Sequence, residues 1–181
     1  MTQNILRDIG QFSEADVILF EKCATKRSFN KNDLLLKEGE VCRSAFYILS
    51  GSFYQFQEGE IDDTIVDLHV SNEWMFNHTS FIGQSPSKTL IKAFIRSEVI
   101  ELSLSKLHEL IIQSPAFLQF GRIFDQANTR IHFFDNSLNP SQKYNYIKEA
   151  KPLISQTFPV KMIASYLKIA PETLSRVRAN Y

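Results

Sequence analysis

Short apolar segments separated by turn residues fill the chain between Phe29 and Leu104. The segments are Leu34–Leu36, Ala45–Leu49, Phe53–Phe56, Ile65–Val70, Leu90–Ile95 and Val99–Leu104. Turn residues, among them Gly39 and Gly51, follow the segments at regular intervals. Short strands with regularly placed turns predict an all-β sandwich, jelly roll or barrel.

Helical patterns flank this β region on both sides. Ser13–Asp16 has the composition of a capping box and predicts a short amphipathic helix that ends near Lys26. Leu107–Ile111 predicts a second short helix, which Ser114-Pro115 interrupts. Asn139-Pro140 predicts the start of a further helix, since Asn is a good N-cap and Pro suits the first helical position.

A ridge of apolar side chains follows Pro115 at intervals of three and four residues. The ridge consists of Phe117, Phe120, Phe124, Ala127, Ile131 and Phe134. This spacing is typical of the a/d positions of a coiled coil and predicts a long dimerisation helix. Leu118 and Ile123 would then pack back onto the β region. A core helix that buries one wide stripe in its own chain is the alternative.

Two short helices are predicted at the end of the chain. Pro159 can open the first, and its apolar residues recur at helical spacing up to Leu167. Lys168–Ala170 breaks the pattern, and Pro171 starts a second helix with Leu174 and Val177 on its inner side. Two helices joined by a three-residue turn predict a helix-turn-helix, with an ordinary αα-hairpin as the alternative.

Charge is distributed unevenly, although the 181 residues contain 20 Lys and Arg against 20 Asp and Glu. Residues 141–181 carry seven basic side chains against two acidic ones, a net charge of +5. The preceding 140 residues carry 13 against 18, a net charge of −5. A basic tail on an acidic body indicates a polyanion as partner of the tail. A solvated helical face is the alternative.

Several classes of protein are excluded by missing motifs. Cys23 and Cys42 form no Cys-x-x-Cys pair, so we expect no metal site and no redox motif. The sequence has no Gly-rich phosphate loop, no His-Glu-x-x-His and no Gly-x-Ser-x-Gly, and we expect no catalytic residues. No apolar run approaches about 18 residues, and Met1–Gly10 lacks a signal-peptide layout. We therefore expect a cytoplasmic protein with no membrane partner.

The final helices resemble the end of Crp/Fnr-type transcriptional regulators, the cyclic-AMP receptor protein family. The similar stretch is Ile163-Ala164-Ser165-Tyr166-Leu167-x-Ile169-x-Pro171-Glu172-Thr173-Leu174-Ser175-Arg176, and it is most similar to the compact branch that stops soon after the recognition helix. Leu36-x-x-Gly39-Glu40 and Phe46-Tyr47-Ile48-Leu49-x-Gly51 resemble the glycine turns of the family's jelly roll. Lys168 stands where the family's turn usually carries glycine, which predicts strain or an altered turn there.

The resemblance also bears on what the sensor domain can bind. The family usually holds a cyclic nucleotide with a glutamate and an arginine, but Phe76-Asn77 and Ser87-Lys88-Thr89 stand at those places. Without this charge pair we expect no cyclic-AMP binding. Asn77, Ser87, Lys88, Thr89 and His132 are candidate contacts for another small-molecule effector. Two cysteines cannot supply the four thiolates of an iron–sulfur cluster. We expect no other cofactor, and we expect His69 and His78 to be structural or exposed.

These observations together predict an α+β protein with three parts. They are a cyclic-nucleotide-binding-like jelly roll at 1–112, a long dimerisation helix and hinge at 113–138, and a helix-turn-helix at 139–181. Arg176 and Glu172 are the candidate base contacts, and the candidate phosphate contacts are Thr173, Ser175, Lys161, Lys168 and Arg178. The predicted partners are double-stranded DNA and a second copy of the chain, with RNA polymerase a further candidate. The alternative is a ligand-binding jelly roll whose helix-turn-helix no longer binds DNA.

Overall fold

A computed structural model describes residues 2–125 and 138–179 of the chain. Helix α1, Thr2–Arg7, is followed by α2, Glu14–Cys23. The predicted capping box is confirmed: the Ser13 hydroxyl accepts from the Asp16 backbone N–H, and the Asp16 carboxylate accepts from the Ser13 backbone N–H. Helix α2 ends three residues before Lys26, because the chain enters a strand at Thr25.

Of the predicted sandwich, jelly roll or barrel, the structure has a sandwich, in which the described residues form two four-stranded antiparallel sheets. The strands are β1 Thr25–Phe29, β2 Leu34–Leu36, β3 Ser44–Ser50, β4 Ser52–Gln57, β5 Thr64–Val70, β6 Trp74–Met75, β7 Leu90–Ala93 and β8 Ser97–Ser103. The strand orders are β1-β8-β3-β6 and β2-β7-β4-β5. Strands β1 and β6 were not predicted. The first is largely polar and exposed, and the second has only two residues.

Both glycines that resemble the family's turns take a conformation that favours glycine. The φ of Gly39 is 82° and that of Gly51 is 93°. A Cβ atom at residue 51 would lie 2.6 Å from Ser97 Cα, so a side chain there would collide with the backbone of β8. The corner between β3 and β4 therefore requires glycine.

The sandwich is followed by helices that complete its core. Helix α3 is His78–Gly83, α4 is Leu104–Gln113, a 3₁₀ helix spans Pro115–Phe120, and residues 121–125 are helical. The break at Ser114-Pro115 is as predicted. The aromatic side chains of the 3₁₀ helix point into the chain: the Phe117 ring lies 5.3 Å from that of Phe12 and the Phe120 ring 5.4 Å from that of Trp74, between centroids.

This burial corrects the predicted dimer seam at Phe117 and Phe120. Phe117 and Phe120 are fully buried, and the half-buried Phe124 packs between Phe76 and Phe81. The alternative of a core stripe therefore holds for this part of the ridge. Leu118, expected to pack inward, is 64% exposed, whereas Ile123 is buried as expected. Ala127, Ile131 and Phe134 lie outside the described residues.

Four helices form the C-terminal region. They are α5 Pro140–Ala150, α6 Ile154–Thr157, α7 Val160–Leu167 and α8 Pro171–Ala179. Asn139 caps α5 as predicted, in a capping box with Gln142. Helices α7 and α8, joined by three residues, confirm the predicted pair, which we call the terminal helix pair. Ala164, Leu174 and Val177 are buried inside it.

The second sheet has a core on each of its faces. One lies inside the sandwich and includes Phe20, Phe53, Phe117 and Phe120. The other joins the sheet to the C-terminal helices, with Phe56, Ile65, Leu68, Val70 and Leu90 on one side and Tyr144, Ile147, Ile154, Phe158, Ile163 and Leu167 on the other. The C-terminal helices are therefore docked on the β4–β5 part of the sandwich. None of the helices within the described ranges is both long and apolar enough to span a bilayer.

Candidate nucleic-acid interface and sensor cavity

The turn of the terminal helix pair has the geometry that the sequence predicted to be strained. Lys168 has φ 55° and ψ 48°, in the left-handed region that glycine adopts more readily. The Ile169 N–H donates to the Ala164 carbonyl at 3.0 Å, and the Lys168 N–H donates to the Ser165 carbonyl at 3.0 Å. These two bonds form a Schellman motif, which ends α7 and fixes the direction in which α8 leaves.

Helix α8 separates its apolar and polar side chains. Leu174 and Val177 are buried, whereas Glu172, Ser175 and Arg176 are exposed. The two predicted base contacts, Glu172 and Arg176, thus lie on the same outward face. Thr173 is half-buried beside them.

Arg178 is less accessible than the sequence indicated. Its guanidinium carbon lies 5.7 Å from the centroid of the Tyr144 ring on α5. Its Nε is buried and has no hydrogen-bond partner within the described part of the chain. In this arrangement the side chain helps to pack α8 on α5, and only part of it faces solvent.

Lys161 and Lys168, the predicted phosphate contacts around α7, differ in their surroundings. Lys168 is exposed at the turn. The Lys161 ammonium lies 2.8 Å from a carboxylate oxygen of Asp62, in the connection between β4 and β5. Both side chains of this pair are largely exposed, so the pair is weak in energy, but it neutralises Lys161.

Two of the seven basic residues of the tail are buried, which corrects the view of the tail as a uniformly basic surface. The Lys143 ammonium donates to the Leu167 carbonyl at 3.0 Å, at the C-terminus of α7, where a cation is favoured. The Lys151 ammonium donates to the Leu68 carbonyl at 2.7 Å and lies 3.1 Å from Glu73 and 3.3 Å from Asp67. The exposed basic charge comes from the other five residues.

Lys151 belongs to a charged cluster that joins α5 to the sandwich, in which Lys151 and His69 are buried and Asp67 and Glu73 are partly exposed. His69 Nδ1 lies 3.2 Å from Glu73 Oε1, and His69 Nε2 lies 3.7 Å from Asp67 Oδ2. His69 is 2% exposed, and its Nε2 has no hydrogen-bond partner within the described ranges. His69 therefore has the structural contact that was predicted, but only through Nδ1. The sequence carried no signal for this cluster, because Lys151-Pro152 indicates only the end of a helix.

Four of the five predicted effector contacts line one cavity of about 240 Å³: Asn77, Ser87, Lys88 and Thr89. His132 lies outside the described residues. Sequence reasoning missed Gln55 and Asp67 in the cavity wall and did not assign His69 to it. The alternating pattern of β4 and β5 could have indicated which of these side chains share a face.

Asn77 is held in place by bonds within the protein. Its Oδ1 accepts from the Ser80 backbone N–H at 2.9 Å and thereby caps α3. Its Nδ2 donates to the hydroxyls of Ser87 and Thr89, each at 2.8 Å. Gln55 Nε2 also donates to the Thr89 hydroxyl, at 2.7 Å. Much of the polar lining is therefore already paired.

The cavity offers little positive charge for a phosphate. Lys88 is exposed at its rim, and the Asp67 carboxylate contributes negative charge to its wall. No cluster of three or more metal-ligating side chains occurs in residues 2–125 and 138–179.

Residues 26–114, from β1 to the end of α4, match the protein family described as Cyclic nucleotide-binding domain. A search of curated proteins gave no match.

Solved structures with a similar fold cover nearly the whole chain. The catabolite activator protein of Thermus thermophilus has 14% identity and a TM-score of 0.60, covering 98% of this chain and 85% of that one. A mutant of CooA from Carboxydothermus hydrogenoformans has 13% identity and a TM-score of 0.63, covering 99% and 83%. The c-di-GMP-responsive global regulator CLP of Xanthomonas campestris has 14% identity and a TM-score of 0.59, covering 93% and 91%.

The fold is therefore α+β, and residues 26–114 are similar to the cyclic nucleotide-binding domain family. The sandwich and helices have the same fold as these solved structures.

Proposed function

We propose that the chain is a dimeric, sequence-specific DNA-binding transcription regulator of Crp/Fnr type. The observation that carries this proposal is the outward face of α8, where Glu172, Ser175 and Arg176 are exposed while Leu174 and Val177 are buried. A recognition helix needs this separation, because it packs on its own domain with one side and enters the major groove with the other.

Each exposed side chain has a role in this proposal. Arg176 would donate to the O6 and N7 acceptors of a guanine, and Glu172 would accept from the amino group of a cytosine. Thr173, Ser175, Lys161, Lys168 and Arg178 would contact phosphates. Lys161 and Arg178 would first have to leave Asp62 and Tyr144.

A dimer would place two such helices about 34 Å apart, one turn of DNA. Phe117 and Phe120 are buried within the chain, so the contact would have to involve other residues, among them the exposed part of Phe124. Ala127, Ile131 and Phe134 remain predicted contacts. Leu118, an exposed apolar side chain on the preceding segment, is a further candidate.

The sensor domain, in this proposal, responds to a ligand other than cyclic AMP, or to none. A buried phosphate needs a fixed cation, and the cavity has only the exposed Lys88 and an opposing Asp67 carboxylate. Asn77 is occupied as the cap of α3, so it is poorly placed to bind a ribose hydroxyl.

Selection of bound sequences from a random DNA pool tests the proposed function. We expect a palindromic site, which reports the dimer and its half-site spacing together. Arg176→Ala should lose about 1–3 kcal/mol on this site and relax the preference at one base pair. Lys148→Ala removes the same charge from α5 and should leave the preference unchanged. Unaltered base discrimination by Arg176→Ala would refute the assignment of Arg176.

A ligand-binding module without DNA binding is the second candidate. Two observations favour it: Lys143 and Lys151 are buried, and Lys161 is already paired with Asp62. A gel shift on random DNA at low salt separates the two candidates, because nonspecific binding by a DNA-binding protein strengthens as salt falls. No shift at any salt concentration would favour the module.

A further inference from the structure

Helix α7 is docked on the edge of the second sheet. Strand β5 is the last strand of the order β2-β7-β4-β5, and no other strand in residues 2–125 and 138–179 pairs with its outer edge. The Ile65 N–H donates to the Ser165 hydroxyl of α7 at 3.0 Å. Helix α7 thus covers the free edge of the sheet. An uncovered edge strand could pair with a strand of another chain.

The connection that leads into this edge is strongly acidic. Residues 58–63 carry four carboxylates and no basic side chain: Glu58, Glu60, Asp62 and Asp63. Asp62 and Asp63 line a cavity of about 560 Å³ together with Lys161 and Pro171, the first residue of α8. Burial, with a smaller contribution from the Asp63 carboxylate, raises the pKa of Tyr54 in the same cavity. We call residues 58–63 the acidic hairpin.

The acidic hairpin lies beside the residues that the proposed function places near DNA phosphates. In a helix-turn-helix the first helix crosses the DNA backbone, and the N-terminal residues of the second contact base edges. Lys161 on α7 and Pro171 at the start of α8 therefore mark where phosphates would lie. Carboxylates at that place neutralise Lys161 and repel phosphates over a Debye length of about 8 Å at physiological salt.

We propose that the acidic hairpin is an autoinhibitory element that occupies the phosphate side of the terminal helix pair and has to leave before DNA binds. This inference rests on the proposed function, since it concerns regulation of the same DNA-binding face. The docked state is held by contacts beyond the hairpin, including the rings of Phe94 and Phe158, whose centroids lie 4.9 Å apart.

Strand β5 connects the sensor cavity to this docked state. Asp67 lines the cavity and also pairs with Lys151 at the end of α5. A ligand that takes hydrogen bonds or charge from Asp67 competes with Lys151 and so weakens the docking of the C-terminal helices. Because only differential binding to the two states shifts their populations, such a ligand should favour the released state.

The test compares the full-length protein with Asp62→Asn/Asp63→Asn on the site selected from random DNA, by fluorescence anisotropy. We expect the variant to bind about fivefold to tenfold more tightly, because the carboxylates opposing the phosphates are gone. Glu14→Gln/Glu21→Gln makes the same change in net charge on the exposed face of α2 and is the control. Its affinity should stay close to that of the unmodified protein.

Equal affinities of the unmodified protein and the hairpin variant would overturn the proposed inhibition by the acidic hairpin and leave the proposed function standing. Failure of both to bind any DNA overturns the proposed function, and the inhibition with it. Hydrogen exchange adds an independent measurement: saturation with DNA should accelerate exchange of the Ile65 amide, which Ser165 protects. Unchanged protection would mean that the docked state itself binds DNA.

Discussion

Lys168 has a left-handed backbone conformation, which suits glycine better than lysine. Its φ of 55° places Cβ close to its own backbone, at a cost of about 1–2 kcal/mol for a non-glycine residue. We expect Lys168→Gly to raise the free energy of unfolding by up to about 1 kcal/mol, part of the gain being offset by the greater flexibility of glycine in the unfolded chain. Urea denaturation measures this difference.

Lys168→Ala is the matched control for this change. Alanine removes the same charge and the same surface contacts but keeps the Cβ atom, so it should not stabilise the protein. If both variants were stabilised equally, removal of the lysine charge, rather than relief of the backbone, would explain the effect.

Helix α2 depends on a pair of side chains at its start. Hydrogen bonds from the Ser114 and Ser13 side chains lower the pKa of Asp16 below its ordinary value of 3.8. A lowered pKa means that the folded state favours the carboxylate. Asp16 therefore contributes stability above pH 3.8, and this contribution is lost as the pH falls through the lowered value.

Asp16→Asn removes this dependence on pH. At neutral pH we expect the variant to unfold at lower urea concentration than the unmodified protein, and this difference should shrink as the pH falls below 3.8 and through the lowered pKa of Asp16. Ser13→Ala, which removes the N-cap hydroxyl, should cost about 1 kcal/mol at neutral pH. A difference between the unmodified protein and Asp16→Asn that stays constant with pH would contradict this account of the cap.

Substitutions near the 3₁₀ helix Pro115–Phe120 test whether its phenylalanines pack in their own chain or in a dimer contact. Because Phe120 is fully buried against Trp74 and Phe20, Phe120→Ala should cost about 3–5 kcal/mol of unfolding free energy. Ile112→Ser, at an 84% exposed position of α4, is the control and should cost less than about 1 kcal/mol. Thermal unfolding at several protein concentrations separates this loss from any effect on dimerisation. A small, concentration-dependent loss for Phe120→Ala would restore the seam interpretation.

Local patterns predicted most elements, because caps, turns and apolar periodicity are properties of neighbouring residues. The capping box at Ser13, the N-cap at Asn139 and the turn at Lys168 follow from such patterns. The packing partner of the phenylalanine ridge cannot be predicted in this way. Spacings of three and four residues describe one apolar face, whether that face packs on its own chain or on a second copy. Strand β1 was missed because it is polar, with four of its five residues exposed.

The arrangement of the whole molecule depends on contacts that no local pattern encodes. Lys151 is paired with Asp67 and Glu73, which precede it by 84 and 78 residues. In the sequence it counts as one more cation of a basic tail, and only the fold shows that it is buried. For the same reason the sequence placed Asn77, Ser87 and Thr89 in the sensor cavity but could not show that they bind one another.

A substitution of Lys151 tests how firmly the C-terminal helices are attached to the sandwich. Lys151→Met keeps a side chain of similar length but removes the buried ammonium that donates to the Leu68 carbonyl and pairs with the partly exposed Asp67 and Glu73. Breaking a fully buried ion pair typically costs about 3–5 kcal/mol, and we expect a smaller loss here because both carboxylates keep contact with solvent. Since the lost contact joins α5 to the sandwich, we expect the C-terminal helices to unfold or separate before the sandwich does. Scanning calorimetry would then record two transitions, the first at lower temperature.

Lys148→Met is the control for this prediction, because it makes the same replacement on an exposed turn of the same helix. It should cost less than about 1 kcal/mol and leave the shape of the transition unchanged. A single transition at the original temperature in Lys151→Met would mean that the charged cluster does not hold the two parts together. Docking would then rest on the apolar contacts between the second sheet and the C-terminal helices and on the polar contacts of α7 with Ile65 and Asp62, and Asp67 would lose its part in linking the sensor cavity to the terminal helix pair.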